Sequence, residues 1–142
     1  MDIRSYRESD EVAVIALWRA CGLTRPWNDP RKDIARKLAV QRDLFLVGEV
    51  GGNIVGSVMA GYDGHRGWVN YLAVHPEFQR RGHGEALMKS VEQRLLEIGC
   101  PKLNLQVRTA NTGVLDFYRR IGYAQDDVVG LGRRLIPDEP AG

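Results

Sequence analysis

The sequence predicts a chain of the α/β (α+β) class, and three observations point there. Apolar runs rich in β-branched and aromatic residues, such as residues 68–74, alternate with stretches whose apolar residues recur at helical spacing. Three of the strand patterns follow one another through short turns. The last of these three runs into a turn with two glycines, Gln79-Arg80-Arg81-Gly82-His83-Gly84, from which the longest helical pattern emerges. The resulting order is β-αα-βββ-α-β-α-β.

Asp2-Ile3-Arg4-Ser5-Tyr6 alternates as a short first strand. Ser9 then reads as the N-cap of a helix whose Val12, Ile15, Leu17, Trp18 and Cys21 face inward, and Gly22 ends it. Residues 24–30 are rich in turn formers. A second helix follows over residues 31–41, with Ile34 and Leu38 inward and Arg31, Lys32, Arg36 and Lys37 on its solvated side. A meander comes next: a strand at 44–50, Gly51-Gly52-Asn53 as a hairpin turn, a strand at 54–62, Asp63-Gly64, and the strand at 68–74. The helix after the glycine turn carries Leu87, Met88, Val91, Leu95 and Ile98 on one face and stops at Gly99 and Pro101. A strand at 103–107, a helix at 111–121, a last strand around 128–135 and a frayed tail at 137–142 complete the chain.

At 142 residues the chain suits one domain, 1–142, large enough to bury roughly two thirds of its unfolded surface. Hydrophobic residues at 44% and charged residues at 27% describe an ordinary soluble globule. A net charge of +2 is too small to argue for nucleic acid, whose readers usually show a concentrated basic face, so no nucleic-acid partner is expected. Cys21 and Cys100 end apolar helical patterns and read as small buried hydrophobes. No run approaches the ~20 apolar residues of a membrane span, and no signal-peptide profile opens the chain, so a cytoplasmic protein without membrane partners is expected.

A glycine turn between a strand and a helix gathers backbone N–H groups where the helix dipole also favours an anion, so it suits a phosphate group. The residues after Gly82 exclude two familiar phosphate loops. A Walker loop needs Gly-Lys-Ser/Thr where His83-Gly84-Glu85 stands, and a Rossmann fingerprint needs a third glycine where Leu87 stands. The remaining pattern, Q/R-x-x-G-x-G/A after a strand, resembles the acetyl-CoA pyrophosphate loop of the GNAT N-acetyltransferases. Six residues can also be an ordinary turn. A second segment, Asn111-Thr112-Gly113-Val114-Leu115-Asp116-Phe117-Tyr118-Arg119-Arg120-Ile121-Gly122-Tyr123, resembles the family's N-x-x-A-x-x-F-Y-x-x-x-G-F/Y, with Val114 in place of the usual alanine. Residues 25–30 and 61–67 further resemble a bacterial subgroup called YpeA-like.

The resemblance implies a central mixed, mostly antiparallel sheet with helices on both faces, and two strands that splay apart to hold CoA. Acetyl-CoA would be the cosubstrate, with no metal. By the same resemblance Leu72, Ala73 and Val74 offer backbone groups to pantetheine, while Arg80, Arg81, Gly82, His83, Gly84 and Glu85 cradle the pyrophosphate. For the two arginines plain solvent exposure is the alternative. Asn111 is either a cofactor contact or a helix cap. Tyr118 is either the acid that protonates the leaving thiolate or a packing residue with a structural hydroxyl bond.

For the base, Asp63, His65 and Tyr71 stand near the expected acetyl end, although His65 also reads as a loop histidine. Trp27 and Asp29 either contact the amine or staple and cap their loop. The acceptor that the resemblance implies is the primary amine of a small molecule or of a protein N-terminus. An α-amine with a pKa near 7.7–8.0 needs less help from a base than a lysine near 10.4. A homodimer is compatible with the family. A CoA-binding regulator without turnover is the alternative to an enzyme, and a retained Tyr118 speaks against it.

Overall fold

The computed structural model describes residues 1–138. Five strands form one sheet in chain order: β1 (Asp2–Ser5), β2 (Phe45–Val50), β3 (Asn53–Tyr62), β4 (Gly67–Val74) and β5 (Leu103–Leu105). The first four pair antiparallel and β5 joins β4 in parallel, so the sheet is mixed and mostly antiparallel as expected. Four α-helices cover it: α1 (Glu11–Ala20), α2 (Pro30–Leu38), α3 (His83–Glu97) and α4 (Thr112–Arg120).

Strand alternation sends successive side chains to opposite faces, and each face has its own core. Leu46, Val58, Ala60 and Val69 pack with Leu87, Met88, Val91 and Leu95 of α3 and Tyr118 of α4. Phe45, Val47, Met59 and Ala73 pack instead with Val14, Ile15, Leu17 and Trp18 of α1 and Ile34 of α2. The helices therefore lie on both faces. Cys21 and Cys100 are free thiols, the first half-buried and the second buried.

Several expectations need correction. Ser9 does not cap α1; it lies in a 3-10 turn, Glu8–Asp10, and Asp10 is the residue preceding the helix. Ile15, Leu17 and Trp18 are buried as expected, with Val14 beside them, but Val12 is 78% exposed. Helix α2 ends at Leu38, and Gln41 turns left-handed at φ 51° to lead into β2. Ile98 follows the end of α3 and is 49% exposed.

The last strand around 128–135 does not form. Gly130 and Gly132 interrupt its apolar run, and β5 offers only three residues to pair with. Nor does a free tail begin at 137. Asp138 is buried, accepting bonds from Arg36 and from the Asp29 N–H. The remainder of the expected tail, 139–142, lies outside the described residues.

Candidate active site

The partnership of β4 and β5 is brief. It runs through Gly67↔Leu103, Trp68↔Asn104 and Val69↔Leu105 and stops, so from Asn70 onward β4 keeps only its β3 neighbour. The His75 N–H donates to the Val55 carbonyl at 2.8 Å, which sets the alternation of the strand end. Ala73, in register with Ser57, turns its polar groups toward β3, and Leu72 and Val74 turn theirs to the open edge. Of the three expected donors and acceptors, Leu72 and Val74 are thus placed for a ligand and Ala73 is not. The Val74 carbonyl already accepts from Gln79 Nε2 at 2.9 Å and from the Cys21 thiol at 3.2 Å.

Just before this edge β4 bulges. Ser57 pairs with Ala73 and Met59 with Asn70, leaving Tyr71 and Leu72 opposite Val58 alone. Tyr71 adopts φ 53°, a left-handed geometry costing about 1 kcal/mol for a non-glycine residue. Four contacts hold it there. The buried Ser57 hydroxyl donates to the Tyr71 carbonyl at 3.1 Å and accepts from Trp18 Nε1–H at 2.9 Å. The Trp18 ring stacks on Tyr71 at 3.8 Å, and the Tyr71 hydroxyl donates to Asp33 Oδ2 at 2.6 Å. Sequence reasoning missed Ser57, Trp18 and Asp33 as parts of the site. The one available signal was a hydroxyl amid the apolar residues of β3.

The glycine turn lies where β4 leads into α3. Arg80 and Gly82 are left-handed, at φ 63° and 81°, and Gly82 precedes α3 without any side-chain cap. The first N–H groups of a helix have no partner within it, so His83, Gly84 and Glu85 present theirs outward. A Cβ on Gly84 would lie 3.1 Å from Cζ of Phe117, so a glycine here lets α4 sit close against the turn. The Arg81 guanidinium lies over the Phe78 ring at 5.2 Å, while Arg80 is exposed. Glu85 pairs with Lys89 at 3.2 Å.

Residues 11–123 match the Acetyltransferase (GNAT) family. The chain belongs to the GNAT family. An acetyltransferase of Pectobacterium atrosepticum is 54% identical over 138 residues, covering 97% of this chain and 98% of the relative. Among solved structures, an aminoglycoside acetyltransferase from an uncultured soil metagenomic sample is 25% identical at a TM-score of 0.74, over 95% of this chain and 96% of that one. An aminoglycoside N-acetyltransferase in complex with CoA shares the fold at a TM-score of 0.71 and 18% identity, over 95% of this chain and 100% of that one. This chain is accordingly an N-acetyltransferase.

In this GNAT chain Tyr118 is buried on α4, edge-on to Phe117 and Tyr123 at 5.0 and 5.6 Å. Burial pushes its phenol up to about 12. Asn111 caps α4, accepting weakly from the Val114 N–H at 3.4 Å. The capping role is thus seen directly, and it leaves the rest of the side chain to a ligand.

The base candidates fare unequally. Asp63 Oδ1 accepts from the His65 and Arg66 N–H groups, and these bonds hold its carboxyl below the usual range, which weakens it as a base. Asp63 and His65 also precede the paired end of β4, with Gly67 already about 17 Å along the strand from Leu72. They do not reach the splayed end. Tyr71 does, but burial and the Asp33 bond push its phenol well above the usual value, so it keeps its proton.

The loop between α1 and α2 holds the remaining candidates. Asp29 caps α2 by accepting from the Arg31 N–H at 2.9 Å, and Trp27, half exposed, has the Arg108 guanidinium over its ring at 5.5 Å. An open pocket of about 390 Å³ in this loop is lined by Arg19, Thr24, Arg25 and Asn28 with Pro26 and Pro30.

Proposed function

We propose that the protein transfers the acetyl group of acetyl-CoA to a primary amine, of a small molecule or a protein N-terminus, by direct attack through a tetrahedral intermediate. The observation that carries this reading is the open edge of β4 beside a turn whose amide groups are free. An extended pantetheine would add to Leu72 and Val74 as a strand adds to a sheet edge. Its pyrophosphate would meet the amides of the turn from Arg80 to Glu85, where the α3 dipole favours negative charge and Arg80 and Arg81 supply cations. Asn111 would contact the cofactor from the far side of the splay.

The bulge would set where the carbonyl reacts. Leu72 N–H, aimed by the left-handed Tyr71, would stabilise the developing oxyanion. Tyr118 retains its proton at physiological pH and would hand it, or a hydrogen bond, to the departing thiolate. A phenol near 12 is a weaker acid than a thiol near 8.5, so full transfer would be favourable only if the positively charged amine nitrogen of the intermediate returns its proton to the Tyr118 oxygen, leaving a neutral amide, a free thiol and a neutral phenol.

The acceptor that suits these surroundings is an α-amine, partly neutral at pH 7 without a strong base. If the pocket of the α1–α2 loop receives the acceptor, Arg19 there would favour an acidic group near that amine, while Arg25 already donates to the Gly22 and Thr24 carbonyls. The protein would act as a single cytoplasmic domain. A thiol-release assay across α-amino acids, short peptides and polyamines tests the proposal. Release with α-amines supports it; acetyl-CoA binding with no release from any amine would leave the non-catalytic CoA-binding reading.

A further inference from the structure

Two arginines from the far side of the splay reach the α1–α2 loop. Val69↔Leu105 is the last pair between β4 and β5. Three residues further along stand Leu72 on β4 and Arg108 beyond β5, so Arg108 lies across the gap from the end of the bulge. Leu103, Leu105 and Val107 pack toward α3, and alternation sends Arg108 to the opposite face, where α1 and α2 lie. There its guanidinium sits over the Trp27 ring at 5.5 Å. The neighbouring Asn28 receives the second arginine, with Arg134 donating to its Oδ1 at 2.5 Å.

The carboxylates of this corner are already engaged. Asp29 accepts from the Arg31 N–H, Asp33 from the Tyr71 hydroxyl, and Asp138 from Arg36 and the Asp29 N–H. Arg25 is held by the Gly22 and Thr24 carbonyls. Among the described residues neither Arg108 nor Arg134 meets a carboxylate. Their partners are an indole ring, a side-chain amide and, for Arg134, the Ile136 carbonyl. An indole face offers no carboxylate-like acceptor, so the planar guanidinium of Arg108 keeps its fork of N–H donors for an anion.

We propose that Arg108 is a specificity-determining residue that clamps the carboxylate of an α-amino acid acceptor, with Arg134 as a second cation, a role that rests on the acetyl transfer proposed above. Pantetheine lying as an added strand would put its thioester one strand spacing, about 5 Å, from the Arg108 backbone. An amine arriving over the α1–α2 face then brings a carboxylate on its own α-carbon within reach of the guanidinium. The clamp also lightens the need for a base, which Asp63, His65 and Tyr71 do not meet. A free carboxylate favours the ammonium beside it and lifts that amine above the 7.7–8.0 of a peptide N-terminus. Paired with Arg108 it loses most of that pull, so the ammonium gives its proton to solvent more readily and the neutral nitrogen attacks.

Thiol release on the full chain, with the common α-amino acids each set beside its α-carboxamide, tests this. The native chain should favour the acid roughly 10- to 100-fold in kcat/KM, as for hydrogen bonds to a charged group. Arg108→Gln should bring that ratio to about one, chiefly by raising KM for the acid. Its kcat for the acid should also require a higher pH, with no such displacement for the carboxamide. Arg108 is exposed, and a melting curve serves as the folding control. A ratio that Arg108→Gln leaves unchanged would overturn the clamp, as would a native chain that favours the carboxamide. Should no amine be acetylated, the transfer reading has failed separately, and calorimetric titration with the same pairs in the presence of CoA still reads the clamp. Acid binding that Arg108→Gln abolishes would support it. No acid binding by the native chain, or acid and carboxamide binding alike, would overturn it.

Discussion

At the scale of single residues, the proposed chemistry rests on two tyrosines used in different ways. Tyr118 is buried among aromatic rings and pushed up to about 12, so its ionisation lies outside any physiological pH range. Tyr118→Phe is expected to lower turnover 10²-fold or more, in the usual range for a lost proton donor, with acetyl-CoA affinity unchanged. Single-turnover kinetics beside a binding titration would separate the two, and unchanged turnover would leave Tyr118 a packing residue. In the proposed reaction Tyr71 would act through its backbone. Ser57→Ala removes the bond that holds its left-handed carbonyl and leaves Trp18 Nε1–H without its buried acceptor, a cost of about 1–3 kcal/mol. The expected signature is a fall in kcat at nearly constant KM for acetyl-CoA. Tyr118 was legible from the sequence because it sits in a contiguous motif. Ser57, Trp18 and Asp33 were not, since their roles arise from contacts across 14 to 39 positions.

At the scale of elements, the candidate site is a gap made by pairing that stops early. Three residue pairs join β4 to β5, and the helix launched from the glycine turn points its free amides beside that gap. Gly84→Ala would place a Cβ 3.1 Å from Phe117, a contact the ring relieves by moving a few tenths of an ångström, in keeping with the Gly/Ala position of the loop, whereas Gly84→Leu would press α4 away from the turn. Overpacking of this kind costs about 1–3 kcal/mol, and acetyl-CoA should bind at least tenfold more weakly, as a melting curve and a binding titration would show together. The strands and helices up to α4 were legible because burial on one face or both leaves a periodic trace. The strand expected around 128–135 failed for a related reason. Its β-branched and apolar residues carry the composition of a strand, but composition says nothing about whether a partner edge is within reach. Likewise Asp63 and His65 sit near β4 in sequence but at its wrong end, a distinction that only the register with β5 makes.

At the scale of the whole molecule, the sheet is pinned at its β1 edge by ion pairs. Arg4 donates to both oxygens of the buried Asp10 at 2.8 and 2.9 Å and to Glu49 at 2.6 Å, and the Arg7 N–H also donates to Asp10. These bonds, the Arg4 pair foremost, hold the Asp10 carboxyl below its usual range. A carboxyl whose folded value is depressed adds stability that is fully present above its unfolded value, near 3.9, and is lost as the pH falls through the folded value. Asp10→Asn should therefore destabilise the protein by about 2 kcal/mol at neutral pH, with the gap to the native chain closing below about pH 4. Urea melts at pH 7 and pH 3 would check this, and a gap of the same size at both would contradict it. The central claim, that the glycine turn and the open β4 edge hold acetyl-CoA, is tested most directly by thermal melting with acetyl-CoA against ATP and NADH as controls. At 100 times its dissociation constant a specific ligand adds about 2.7 kcal/mol, several degrees for a chain of this length. A shift with acetyl-CoA alone is the expected result. No shift, or an equal shift with ATP or NADH, would contradict the account.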